Sequence, residues 1–124
     1  MEKTTQLSTT DPNAALQDFR EQVNGRNALL VVLGDSGAAQ AFATLADKLA
    51  GAPGEPRGVI WARNPSLIQP ALDQLPGDPT LLDQLGAAQG FALSSEGAVR
   101  DVIGGNEEPP DPTRIIQSFA RAER

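Results

Sequence analysis

Residues Ala28 to Leu33 read Ala-Leu-Leu-Val-Val-Leu, six apolar side chains in a row with no polar interruption. A strand with one face in water alternates polar and apolar residues. An unbroken run of this length, bounded by turn signals, belongs instead to a strand covered on both faces, the usual central position of a largely parallel sheet. A chain of 124 residues built around such a strand is expected to form one α/β domain with helices on two sides.

The flanking segments agree with that expectation. After the turn Gly34-Asp35-Ser36-Gly37, residues Phe42, Leu45, Ala46 and Leu49 recur at i, i+3, i+4 and i+7, which predicts a helix ending at Gly51. A Pro/Gly loop over 52–57 leads to a second short strand, Gly58 to Ala62, far enough along for a parallel crossover. Four segments open on Asp-Pro or Asn-Pro, at Asp11, Asn64, Asp78 and Asp111. The side-chain oxygen can accept from the first free amides of a helix, and proline in the first turn needs no donor, so each is a helix start. The first of these helices is expected to end at Gly25. Pro70 makes the segment from Asn64 to Leu75 an awkward helix, while Asp78 to Gly86 reads as a short one. Gly90 to Ile103 reads as two strands joined at Ser95-Glu96-Gly97. Asp111 to Arg121 is the last helix, with Ile115, Ile116 and Phe119 as its buried stripe. Residues 1–10 are left as a flexible segment outside a domain spanning 11–124.

The chemistry is bounded by two absences: there is no cysteine and no histidine. Thiol exchange, thiolate metal sites, imidazole acid–base catalysis and nucleophiles activated by histidine are excluded together. A net charge of −6 and only five aromatic residues, Trp61 and four phenylalanines, argue against nucleic acid and anionic membranes as partners. No stretch is long and apolar enough to span a bilayer, so a cytoplasmic location is expected, or a periplasmic one if a signal peptide has been removed. Neither a metal nor a cofactor is expected.

Gly34-Asp35-Ser36 matches the three-residue nucleophile motif of the SGNH lipases and esterases, whose chemistry requires a histidine base that this chain lacks. The glycines match neither dinucleotide nor phosphate-loop spacing. Glu107, Glu108 and Asp111 could gather a divalent cation, but a solvated loop with Asp111 as helix cap accounts for them more simply. At Asp35, too, capping of the following helix is the simpler account than an anion site on the free amides of Gly34 to Ala39. Trp61 reads as core rather than as an exposed contact.

The predicted order of elements, a βαβ unit, connecting helices and a ββα unit, resembles the thioredoxin-like superfamily, in particular its bacterial thiol:disulfide and peroxiredoxin-like branch. The resemblance covers roughly Leu16 to Arg121. It is carried by Leu16-Gln17-Asp18-Phe19 ahead of the strand Ala28–Leu33, the helix Gln40–Ala50, and the stretch from Phe91 to Arg100 that is similar to the closing hairpin. It implies a three-layer α/β sandwich around a mixed sheet of about four strands. It also puts the family's two redox cysteines at Ser36 and Ala39, with Gly37 and Ala38 between, and its cis-proline near Gln89 or Gly90. None of these residues is present. The resemblance therefore implies a degenerate member that binds another protein without redox activity, as do cysteine-less relatives that serve enzyme maturation. The expected contact surface is Asp35, Ser36, Gly37, Ala38 and Ala39 with the facing Gln89, Gly90 and Phe91. The alternatives are an enzyme or small-molecule site using carboxylates near Asp35, and self-association as a homodimer.

Overall fold

Ala28–Leu33 is the central strand of a five-stranded sheet and has five of its six residues buried. The computed structural model describes residues 4–7, 11–23, 28–50, 57–85, 88–104 and 111–123. In chain order the elements are β1 (Thr4–Leu7), α1 (Pro12–Val23), β2 (Ala28–Leu33), α2 (Gly37–Leu49), β3 (Arg57–Ala62), a 3-10 turn (Pro65–Ile68), α3 (Gln69–Leu72), α4 (Pro79–Gln84), β4 (Ala88–Ser94), β5 (Val99–Gly104) and α5 (Pro112–Ala122). The strands lie in the order β1-β3-β2-β4-β5. β1 and β2 run parallel to β3, with Leu30 opposite Val59, whereas β4 is antiparallel to both β2 and β5. The α/β architecture and mixed sheet are compatible with a thioredoxin-like sandwich. One expectation is corrected: Thr4–Leu7, assigned from sequence to a segment outside the domain, lies along β3 as an edge strand.

Helices cover both faces of the sheet. Phe42, Ala43 and Ala46 of α2 and Ile115 and Phe119 of α5 pack on Leu30, Val32, Val59 and Trp61. On the opposite face Ala15 and Phe19 of α1, with Ile68, Ala71 and Leu72, pack on Leu29, Val31, Ile60, Phe91 and Leu93. Alternation along β2 thus divides its apolar run between two cores, which is why no position in it can be polar.

Asp11, Asp78 and Asp111 accept from Asn13, Thr80 and Arg114 amides at 3.0, 2.9 and 2.8 Å, so three of the four expected starts are capped as read. Asn64 is not a cap; its Oδ1 accepts from the Ser66 hydroxyl instead. The chain accommodates Pro70 by breaking the segment into the 3-10 turn and the four-residue α3, in whose first turn the proline sits. In the hairpin, Gly97 supplies a φ of +79°, and its amide donates to the Ser94 carbonyl at 2.9 Å. The expected stops at Gly25, Gly51 and Gly86, and Glu107 and Glu108, lie outside the described residues.

The sequence reading missed how α5 is held. Between the pairs Leu93–Val99 and Ala92–Asp101 the register slips, leaving Arg100 as an extra residue on β5. Such a bulge re-aims the side chains on either side of it. Val99 joins the α1 face, and Asp101 turns to α5. There the Asp101 carboxylate, 5 % exposed, accepts from Arg114 Nη1 and Ser118 Oγ at 2.5 Å each and from Arg121 Nη1 at 2.8 Å. Arg114 Nη2 also donates to the Val102 carbonyl at 2.9 Å. Burial by itself would raise the Asp101 carboxyl, but the bonds from Arg114 and Ser118, the Arg114 charge and the Arg121 bond outweigh it and hold the group below its ordinary value. The buried stripe of α5 is consequently Ile115, Ser118, Phe119 and Ala122, and Ile116, expected within it, is 46 % exposed. At 100° per residue, the i, i+3, i+4, i+7 series from Ile115 bypasses position 116. Arg57 lies over the Phe119 ring, 5.3 Å from its centre, and pairs with Glu123 at the other end of α5. Among the described residues no helix is long and apolar enough to cross a membrane.

Candidate functional site

The carboxyl ends of β2 and β3 lie side by side, the place where open α/β sheets usually form their crevice. β2 leaves the sheet at Gly34, whose φ of +105° suits glycine, whose amide donates to the Ala62 carbonyl at 2.9 Å and whose own carbonyl accepts from Trp61 Nε1 at 2.8 Å. Trp61 is thus core, 8 % exposed, with its one polar atom anchoring the turn. Ser36, not Asp35, caps α2: its Oγ accepts from the Ala39 amide at 3.1 Å. Asp35 is displaced to solvent, where Arg63 Nε donates to it at 2.8 Å while the guanidinium rests 5.2 Å from the centre of the Trp61 ring. Asp35 is therefore exposed and ion-paired, not a carboxylate secluded for acid–base work. The reason is positional: the helix begins at Gly37, so the residue immediately before it takes the cap and the one before that is left outside.

The expected contact residues divide by burial. Asp35, Ser36 and Gly37 are exposed and Ala38 is half-buried, but Ala39, Gly90 and Phe91 are buried and offer no side chain to a partner. Val32 pairs with Gly90, so the two expected segments do meet. A Cβ at Gly90 would come within 2.6 Å of the Val31 carbonyl oxygen and 3.0 Å of the Phe42 ring; the glycine is there for close packing. Between the pairs Ala88–Gly104 and Gly90–Ile103 a second register slip leaves Gln89 as an extra residue on β4. Its Oε1 is buried and has no hydrogen-bond partner among the described residues.

Beside the turn lies a cleft of about 500 Å³ that sequence reading did not anticipate. It is lined by Gly34 and Ala88 at the strand ends and by Leu33, Leu72, Leu75, Leu82 and Leu85, with the exposed Gln69 and Asp73 at the lip. Gln69 Nε2 donates to Asp73 Oδ1 at 2.8 Å. The volume is that of a ligand-sized site, typically about 300–1,000 Å³. The signal for it was present as a cluster of leucines among the prolines of residues 67–85, too many for the faces of two short helices to bury. Among the described residues no group of three His, Cys, Asp or Glu side chains could hold a metal ion. No protein-family model, curated protein or solved structure matches the chain.

Proposed function

We propose that this is a thioredoxin-like binding domain without catalytic chemistry of its own, which acts by holding another protein at the carboxyl end of β2. The observation that carries the reading is the leucine-walled cleft, which is lined by Gly34, the residue immediately before the exposed stretch Asp35–Gly37. Among the described residues the lining holds no nucleophile with a base beside it, and its only ionisable side chain is Asp73. Apolar walls with a few polar groups at the lip bind by burial and shape.

The test is affinity capture from a native cell extract with quantitative mass spectrometry, comparing the parent chain with Ala38→Glu. The variant places a charge on a half-buried side chain in the first turn of α2, where folding should survive, as circular dichroism would verify. A dominant partner retained by the parent and lost with the variant is the expected result. Equal capture by both would remove the turn from the binding surface, and no specific partner for the parent would overturn the reading.

A further inference from the structure

We infer that the cleft accepts a basic protein segment, one that lays two aliphatic side chains between lysines or arginines. This rests on the binding-domain reading and adds the chemistry of the partner.

The apolar half of the argument comes from how unequally the two faces of the sheet are covered. On the α2/α5 face, Leu45 and Leu49 are the only partly buried hydrophobic residues packed against the core among the described residues, whereas the α1/α3/α4 face has nine. The cause lies in the sequence between Asn64 and Leu85. Pro65, Pro70, Pro76 and Pro79 cut it into a 3-10 turn and helices of four and six residues, and pieces so short cannot lay one continuous ridge across the sheet. Leu33, Leu75, Leu82 and Leu85 are left half-exposed around a single cleft. Contiguous apolar surface of this kind, rimmed by polar groups, is the geometry of a groove that receives side chains from a partner's helix or strand.

The charged half comes from the same segment. Between Asn64 and Leu85 there are three aspartates, Asp73, Asp78 and Asp83, and no lysine or arginine. Asp73 is on the cleft lip, and Asp83 is exposed on α4 next to the cleft residue Leu82. The nearest cation along the chain, Arg63, is already engaged by Asp35 and Trp61. A lysine or arginine flanking a docked aliphatic side chain would lie within a Debye length, about 8 Å at physiological salt, of the lip carboxylate, while Arg20 of α1, from another element, borders the adjoining hollow with Gln74 and Leu75 and does not line this cleft. The net charge of −6 would steer the same partner from farther away and repel an acidic one.

Panning a library of short random peptides against the full chain tests this directly. The most enriched peptide is then labelled for fluorescence anisotropy, and its site is mapped by amide chemical shifts. The enriched sequences should pair aliphatic residues with at least two lysines or arginines, and affinity should fall about tenfold between about 0.05 and 0.5 M salt. The double variant Asp73→Asn, Asp83→Asn should weaken binding several-fold, and the shifts should fall on Leu72 to Leu75, Leu82, Leu85 and Ala88. Acidic or uncharged binders, indifference to salt, or shifts confined to Asp35–Ala39 would overturn the inference and leave the binding-domain reading standing. A library without enrichment would also overturn it, while the capture experiment above decides the broader reading separately.

Discussion

Arg114 reaches from the first turn of α5 to Asp101 on β5, donating from Nη1 to the carboxylate at 2.5 Å and from Nη2 to the next carbonyl along the strand at 2.9 Å. Asp101 is nearly inaccessible, whereas Arg114 keeps 19 % of its side chain exposed and Arg121 keeps 53 %. Removing the carboxylate would leave a largely buried guanidinium without its counter-charge, the costly way to break such a pair. Asp101→Ala should lower unfolding free energy by about 3 kcal/mol, and Arg121→Ala by less than about 1 kcal/mol because that arm is solvated. Urea unfolding at neutral pH measures both; equal losses would contradict this ranking.

The same carboxylate sets a pH dependence. Its folded value lies below the ordinary 3.8, so the unfolded chain takes up the proton first as the pH falls. Its contribution is complete above that value and is lost as the pH drops through the lower folded one. The stability difference between the parent and Asp101→Asn should therefore be constant from pH 7 to about 5 and shrink below about pH 4. A difference that shrinks already between pH 7 and 5 would contradict a lowered carboxyl.

Capping of α2 offers a comparison of adjacent positions. Ser36→Ala removes the acceptor for the Ala39 amide and should cost about 1 kcal/mol. Asp35→Ala removes only an exposed ion pair and should cost less than about 0.5 kcal/mol. The reverse order in thermal unfolding would return the cap to Asp35.

Two neighbouring residues on β4 should respond in opposite directions. Gly90→Ala pushes a methyl group against the Val31 carbonyl and the Phe42 ring and should destabilise by about 1–3 kcal/mol. Gln89→Met replaces an acceptor that has no donor among the described residues with an unbranched apolar side chain and should stabilise by up to about 1 kcal/mol. A loss of stability in Gln89→Met would mean that Oε1 is in fact satisfied, for example by an ordered water.

Much of this architecture could be read from local chemistry. The apolar run at Ala28–Leu33, the periodicity from Phe42 to Leu49 and the aspartate–proline starts each act within a few residues, so sequence spacing alone reveals them. The misreadings arise where distant residues decide. Asp35 looks like a cap because spacing does not fix the residue at which α2 begins; with the start at Gly37 the cap falls to Ser36, and Asp35 pairs instead with Arg63, 28 residues away. Nothing beside Asp101 in the sequence marks it as buried; the slip at Arg100 turns it toward α5, and periodicity cannot register a bulge. The expectation that Gly90 and Phe91 face a partner rests on analogy with a cis-proline segment, but β4 carries both into the interior. The cleft depends on how short helices fail to cover a sheet, which no single segment encodes. Thr4–Leu7, with three polar residues in four, has too little apolar content to declare itself as a strand.

The clasp from Arg114 to the Val102 carbonyl also bears on which border of the sheet is open to a further strand. The outer strand β5 has Pro76 and Gly77 laid against it at Val99, whose amide donates to the Pro76 carbonyl at 2.8 Å, and two residues beyond the bulge a guanidinium occupies the next carbonyl. A bulge, a crossing proline segment and an arginine within four positions make β5 a poor template for an incoming strand. Any strand exchanged between copies of this chain, or added by aggregation, would be directed to the opposite border of the sheet, along β1.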